Sequence, residues 1–174
     1  MKVTAVDNQN NLFYVEDFYP QDLINLAAKE NFLTHKSDPV LVQGQYTRRN
    51  LNYSKLVEKF ENASKKGLDE IAKIINQKLK LTGIAVWVDL ENYYMDKHLD
   101  SLNHVSAGMQ IYIKEAPENL GTCFYNQDGS LRFQLPYKVN CGYFMINGLN
   151  QIHSMPTAVP KNCHRVSVYH WINL

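Results

Sequence analysis

The segment Lys97-His98-Leu99-Asp100-Ser101 sets a histidine and an aspartate on either side of a single apolar residue. In an extended segment residues i and i+2 point to the same side, so the imidazole of His98 and the carboxylate of Asp100 can converge on one point. With one distant histidine, such a pair makes a facial triad that binds a divalent metal and leaves three positions open. A His-x-Asp spacing is common by chance, so the chemistry depends on what else the chain brings to the pair. Five other histidines are available as a third ligand: His35, His104, His153, His164 and His170.

His153 follows Gln151-Ile152 and precedes Ser154-Met155-Pro156, at the edge of an expected strand. Twelve positions later comes Arg165-Val166-Ser167. An arginine and a serine two apart in a strand share a face, and a guanidinium beside a hydroxyl suits a planar carboxylate held in bidentate fashion.

The elements that must position these groups divide the chain in two. Leu12-Phe13-Tyr14-Val15 reads as a strand, and Pro20 precedes an apolar stripe at helical spacing (Leu23, Ile24, Ala27, Ala28). Asp38-Pro39 reads as a turn before Val40-Leu41-Val42. A second helix is expected from about Tyr53 through Leu56, Val57 and Phe60. Gly67 is expected to separate it from a third, with Leu68, Ile71, Ile74, Ile75 and Leu79 on one face. From Gly83 the period changes. Ile84 to Val88, Met109 to Ile113, Thr122 to Tyr125, Leu131 to Leu135, Tyr143 to Ile146 and Arg165 to Trp171 read as short strands. Turn signals at Ala116-Pro117-Glu118-Asn119, Asn126-Gln127-Asp128-Gly129 and Asn147-Gly148 lie between them. Helices followed by regularly spaced strands predict a mainly β protein with α: a double-stranded β-helix, or jelly-roll, barrel braced by N-terminal helices. One domain over 1–174 is expected, with the helical brace at about 17–81 and the jelly-roll core at about 83–174.

A chain of 174 residues, 45% hydrophobic and 20% charged, can bury a sizeable core. Its net charge of +1 sets 18 basic against 17 acidic side chains, which argues against a nucleic-acid partner. There is no apolar run of membrane-spanning length, and Met1 to Asn8 lack the apolar core of a signal peptide. Three cysteines without CxxC spacing fit reduced thiols, so a soluble cytoplasmic setting is expected.

The ordered set His98-x-Asp100, His153 and Arg165-x-Ser167 resembles the iron(II)/2-oxoglutarate-dependent oxygenases, nearest to their prolyl-hydroxylase-like branch. The resemblance runs over roughly residues 11–174. Phe13 to Pro20 is similar to the family's opening strand and turn, and Ile111-Tyr112-Ile113-Lys114 to the strand after the pair. Leu120-Gly121-Thr122 stands where a Gly-Gly turn is usual, and His153-Ser154-Met155-Pro156 is similar to the common His-x-Val-x-Pro pattern. Trp171 matches a tryptophan of the pocket.

The resemblance implies that His98, Asp100 and His153 hold iron(II). It also implies that Arg165, aided by Ser167 and Tyr112, binds the far carboxylate of 2-oxoglutarate. The implied activity is a dioxygenase that consumes dioxygen and 2-oxoglutarate, releases succinate and carbon dioxide, and hydroxylates a peptidyl proline or a small molecule, with ascorbate as a further possible cofactor. Tyr93, Tyr94 and Arg48-Arg49 are candidates for the substrate mouth. The competing readings are a non-catalytic jelly-roll binding module and a cupin-type metal enzyme. Cupins use more histidines at closer spacing, a cluster this chain lacks. Substrate and oligomeric state are left open by the sequence.

Overall fold

The computed structural model describes residues 1–6, 11–100, 106–116, 120–148 and 151–174. In chain order these form β1 (Lys2–Ala5), β2 (Leu12–Glu16), α1 (Gln21–Lys29), a 3-10 turn (Phe32–Thr34), β3 (Ser37–Val42) and β4 (Gln45–Leu51). Then come α2 (Lys55–Ile75), β5 (Lys80–Asp89), β6 (Met95–His98), β7 (Ala107–Tyr112) and β8 (Cys123–Tyr125). β9 (Leu131–Gln134), β10 (Cys141–Ile146), β11 (His153–Met155) and β12 (Arg165–Asn173) complete the fold. His104, the Pro117-Glu118-Asn119 part of one expected turn, and Ser101 beside the His-x-Asp pair lie outside the described residues.

The strands pair antiparallel in two sheets, one of order β1-β2-β10-β7-β12-β5-β4-β3 and one of order β6-β11-β8-β9. The long strand β12 shows how the sequence builds the larger sheet. Val166, Val168 and Ile172 join one apolar cluster with Val86 and Val88 of β5, Met109 and Ile111 of β7, and Leu56, Phe60, Leu68 and Ile71 of α2. The intervening residues Arg165, Ser167, Tyr169 and Trp171 therefore face the other way, toward the smaller sheet. Chemistry and core alternate along one strand.

On the helix side, His170 interrupts the apolar row and is fully buried. Its Nδ1–H donates to the Met109 carbonyl at 3.1 Å, and its Nε2 lies 3.0 Å from the Tyr19 hydroxyl and 2.9 Å from Ser64 Oγ on α2. Burial drives the imidazole pKa down to about 4, so this ring is neutral in the folded protein.

Three features differ from the sequence expectation. The second and third helices are a single helix, α2, capped by Ser54, whose side chain accepts from the Val57 N–H, and ended at Asn76 in the left-handed region. Gly67 does not break it. The glycine instead makes room for the Phe18 ring, whose Cε2 lies 2.6 Å from where a Cβ would stand. Asp38-Pro39 lies within β3 instead of in a turn. β3 is the outer strand of its sheet, where proline's missing N–H is tolerated. The turn falls later, at Gln43 and Gly44, both with positive φ as a two-residue hairpin requires. It returns the chain along β4, a strand the sequence reading did not anticipate. Among the described residues no helix is long and apolar enough to cross a membrane.

Candidate metal centre

His98 ends β6, and His153 begins β11 directly across from it in the smaller sheet. Asp100 lies two residues beyond the strand end. Ligand atoms of the three side chains all fall within 4.8 Å of one another. Both histidines are turned by the backbone. His98 Nδ1–H donates to the Asp96 carbonyl and His153 Nδ1–H to the Gln151 carbonyl, each at 2.9 Å. A carbonyl can only accept, so Nδ1 carries the proton and Nε2 of each neutral ring is left with its lone pair.

Those two Nε2 atoms lie 3.6 and 3.7 Å from the same oxygen, Asp100 Oδ1. The other carboxylate oxygen, Oδ2, accepts a 2.7 Å hydrogen bond from the Tyr169 hydroxyl on β12. This arrangement suits a metal: two imidazole lone pairs and one free carboxylate oxygen converge across gaps that metal–ligand bonds of about 2.1 Å can span. Gly108 on β7 makes it possible. A Cβ there would stand 2.5 Å from the Tyr169 hydroxyl and 3.6 Å from Asp100 Oδ2.

The electrostatics separate the two histidines. His153 is buried, and burial, followed by repulsion from His98, holds its pKa below the usual value despite the pull of Asp100. At His98 burial also presses downward, but the neighbouring Asp100 carboxylate and the Asp96 carbonyl outweigh it, and the pKa rises. Burial likewise pushes Asp100 upward, while the neighbouring His98 and His153 imidazoles and the hydrogen bond from Tyr169 bring it below the ordinary carboxylate value. Asp100 stays ionised, as a metal ligand must.

The triad opens into a cavity of about 260 Å³ whose wall includes Trp87, Tyr93, Tyr143, Tyr169 and Trp171, with Arg48, Gln110, Thr122 and Arg165 among its polar residues. Arg165, on the same strand face as Tyr169, is buried in the wall of this space. Its Nη1 donates to Asp89 Oδ2 at 3.0 Å and its Nη2 to Gln110 Oε1 at 3.3 Å. Its Nε is buried with no hydrogen-bond partner among the described residues.

The other two expected anchoring residues are placed one layer behind. Ser167 Oγ accepts from Gln110 Nε2 at 2.8 Å. The Tyr112 hydroxyl lies 3.0 Å from Thr122 Oγ1 and accepts from the Thr122 N–H, while its ring underlies the Arg165 guanidinium at 4.9 Å. Thr122, where the resembled family has a glycine, reaches the cavity in their stead. Of the candidates for the mouth, Tyr93 and Arg48 are buried in the wall and Arg49 is exposed. His35, His164 and His170 are not part of the triad.

Four participants were not anticipated from the sequence: Arg48 as a buried group, Asp89, Gln110 and Tyr169. Gln110 and Tyr169 sit within strands that were expected, whereas Asp89 lies one residue beyond the expected run Ile84 to Val88. Asp89 ends an apolar run opposite Arg165, and Gln110 interrupts an apolar strand.

No family model matches the chain, and no curated protein matches it significantly. Solved structures do. A prolyl-4-hydroxylase from Pseudomonas putida superposes with a TM-score of 0.67 at 14% identity, covering 95% of this chain and 93% of that one. The viral collagen prolyl hydroxylase of Paramecium Bursaria Chlorella virus-1, solved with 2-oxoglutarate, gives 0.58 at 13% identity, covering 97% and 98%. HygX of Streptomyces hygroscopicus, solved with nickel, 2-oxoglutarate and hygromycin B, gives 0.67 at 9% identity, covering 95% and 84%. The likeness is one of fold: mainly β, with two α-helices and antiparallel sheets among the described residues, as in the 2-oxoglutarate and iron(II) oxygenases that include prolyl hydroxylases.

Proposed function

We propose that the protein is an iron(II)- and 2-oxoglutarate-dependent dioxygenase that hydroxylates a small molecule or a peptidyl proline. In this reading the two sheets are the halves of a jelly-roll and α1 and α2 brace it as one domain. The observation that carries the proposal is the meeting of His98 Nε2, His153 Nε2 and Asp100 Oδ1 in the wall of a cavity that is also lined by a buried guanidinium, Arg165. A metal site alone would fit many activities. A metal site sharing a small cavity with a fixed cation suits a ligand that chelates at one end and carries a carboxylate at the other.

Bound iron(II) would supply dioxygen activation coupled to conversion of 2-oxoglutarate into succinate and carbon dioxide, with hydroxylation of the substrate. The chain's own residues do the rest. His98 and His153 present lone pairs because backbone carbonyls hold their Nδ1 protons. Asp100 contributes one negative charge and one ligand oxygen while Tyr169 occupies the other. Arg165 receives the distal carboxylate, and Ser167 acts on it through Gln110. Tyr112 supports the Arg165 plane and holds Thr122 at the cavity wall. The aromatic side chains exclude water from the space the substrate would enter.

The test is anaerobic addition of iron(II) and 2-oxoglutarate, which should produce a weak visible charge-transfer band. Air and a panel of peptides and metabolites, with ascorbate present, should then give succinate release that rises with the true substrate. A protein that binds metal but neither develops the band nor consumes 2-oxoglutarate is a binding module.

A further inference from the structure

Arg48, Asp89 and Arg165 sit directly opposite one another on three adjacent strands, β4, β5 and β12. Arg48 donates to Asp89 Oδ1 from Nε at 2.5 Å and to Oδ2 from Nη2 at 3.1 Å, while Arg165 reaches Oδ2 from the far side. All three are buried: Asp89 is 0% exposed, Arg165 2% and Arg48 4%. Two guanidinium groups on one carboxylate leave a whole positive charge in a wall that water barely reaches. A charge so placed is costly until an anion joins it.

The arginines also have donors to spare. Arg48 spends one edge of its fork on Asp89, and Nη1 has no hydrogen-bond partner among the described residues. Its plane is clamped by Trp87 at 3.9 Å and Tyr93 at 4.4 Å, so little freedom is lost when a ligand arrives. Both arginines line the one cavity that holds the triad.

We infer that Arg48 is the second arm of a two-arginine receptor, with Asp89 as the spacer between the arms, and that its ligand is the distal carboxylate of the short keto-dicarboxylate bound at this site. The inference rests on the proposed reading that 2-oxoglutarate enters with that carboxylate toward Arg165. It assigns cosubstrate selectivity to a hairpin strand outside the β5–β12 core. One ligand carboxylate and Asp89 together neutralise both arginines, so the receptor takes one anion and not two.

Both tryptophans of the chain, Trp87 and Trp171, line the cavity, so intrinsic fluorescence reports binding without turnover. Protein loaded with manganese(II) is titrated with 2-oxoglutarate and with 2-oxobutyrate, which keeps the keto acid and lacks the distal carboxylate. Arg48→Gln and Arg165→Gln should each weaken 2-oxoglutarate by about tenfold or more, the loss of one charge-assisted hydrogen bond, and leave 2-oxobutyrate within about twofold. Arg48→Lys should fall between, because it keeps the charge and loses the fork. Wild-type affinity for 2-oxoglutarate in Arg48→Gln, beside a loss in Arg165→Gln, overturns the two-arm receptor and leaves the cosubstrate reading standing. Failure of the wild-type protein itself to bind 2-oxoglutarate overturns the cosubstrate reading instead. If Arg48→Gln does not fold, as judged by circular dichroism, Arg48→Lys decides: an affinity within about twofold of wild type overturns the inference.

Discussion

The Tyr169 hydroxyl donates a 2.7 Å hydrogen bond to Asp100 Oδ2, and so leaves Oδ1 as the oxygen that faces both histidines. The bond ties the triad, which lies on the smaller sheet and the segment beyond it, to β12 of the larger one. Tyr169 is itself held by stacking on Trp87 at a ring distance of 4.6 Å.

Tyr169→Phe should therefore keep the fold and lose metal affinity. Removing a hydrogen bond that orients a ligating carboxylate typically costs about 10–100-fold in affinity or activity. Titration with manganese(II) or iron(II) measures this, and an unchanged affinity would show that Asp100 orients itself.

Gly108→Ala should act on the same contact from the other side. A methyl group there collides with the Tyr169 hydroxyl, so metal affinity should fall in the same direction. In the double variant the hydroxyl is gone and the added methyl meets less resistance. Its loss should be smaller than the sum of the two single losses, a coupling that a double-mutant cycle reads directly.

Asp100→Ala and Arg165→Ala should separate metal from cosubstrate. Without Asp100 the triad loses its only carboxylate, and metal-dependent 2-oxoglutarate consumption should disappear. Without Arg165 the metal ligands are intact, and the Michaelis constant for 2-oxoglutarate should rise by about tenfold or more. Robust turnover by the first variant, or an unchanged constant in the second, would contradict the assigned roles.

His170 gives the protein an acid limit unrelated to the metal centre. Its folded pKa, about 4, lies below the 6.5 of an unfolded histidine. Between these values the unfolded chain binds more protons, so folding stability falls as pH drops from about 6.5 toward 4. At 1.36 kcal/mol per unit the full effect is about 3 kcal/mol. Denaturant midpoints measured across this window should show the slope for the wild type, and His170→Gln should flatten it.

How legible all this was varied with the physical signal. Short apolar and aromatic runs between turn signals announced β5, β7, β10 and β12, and the two-residue spacing of Arg165 and Ser167 put them on one shared face of the last strand. The His-x-Asp spacing needed only an extended backbone to bring its two groups together. Gly67 misled because a glycine inside a helix reads as a break, whereas here it answers to the Phe18 ring, a partner 49 positions away in sequence and invisible to local pattern. Arg48 was hardest to place. Its strand lacks an apolar alternation, and the hairpin before it turns on Gln43-Gly44 instead of the usual Asn-Gly, so nothing local announced a buried arginine. Tyr169 lay in plain view as one more aromatic of a strand, and its role appeared only with the neighbour it touches.

The strict division of labour along β12 constrains how this protein can change. A one-residue insertion between Ser167 and Val168 would turn the following valine, histidine and isoleucine toward the smaller sheet and drive Tyr169 and Trp171 into the helical layer. Ligand grip and mechanical integrity would collapse together. Only point substitutions, or paired insertions that preserve parity, give this strand a path to a new specificity.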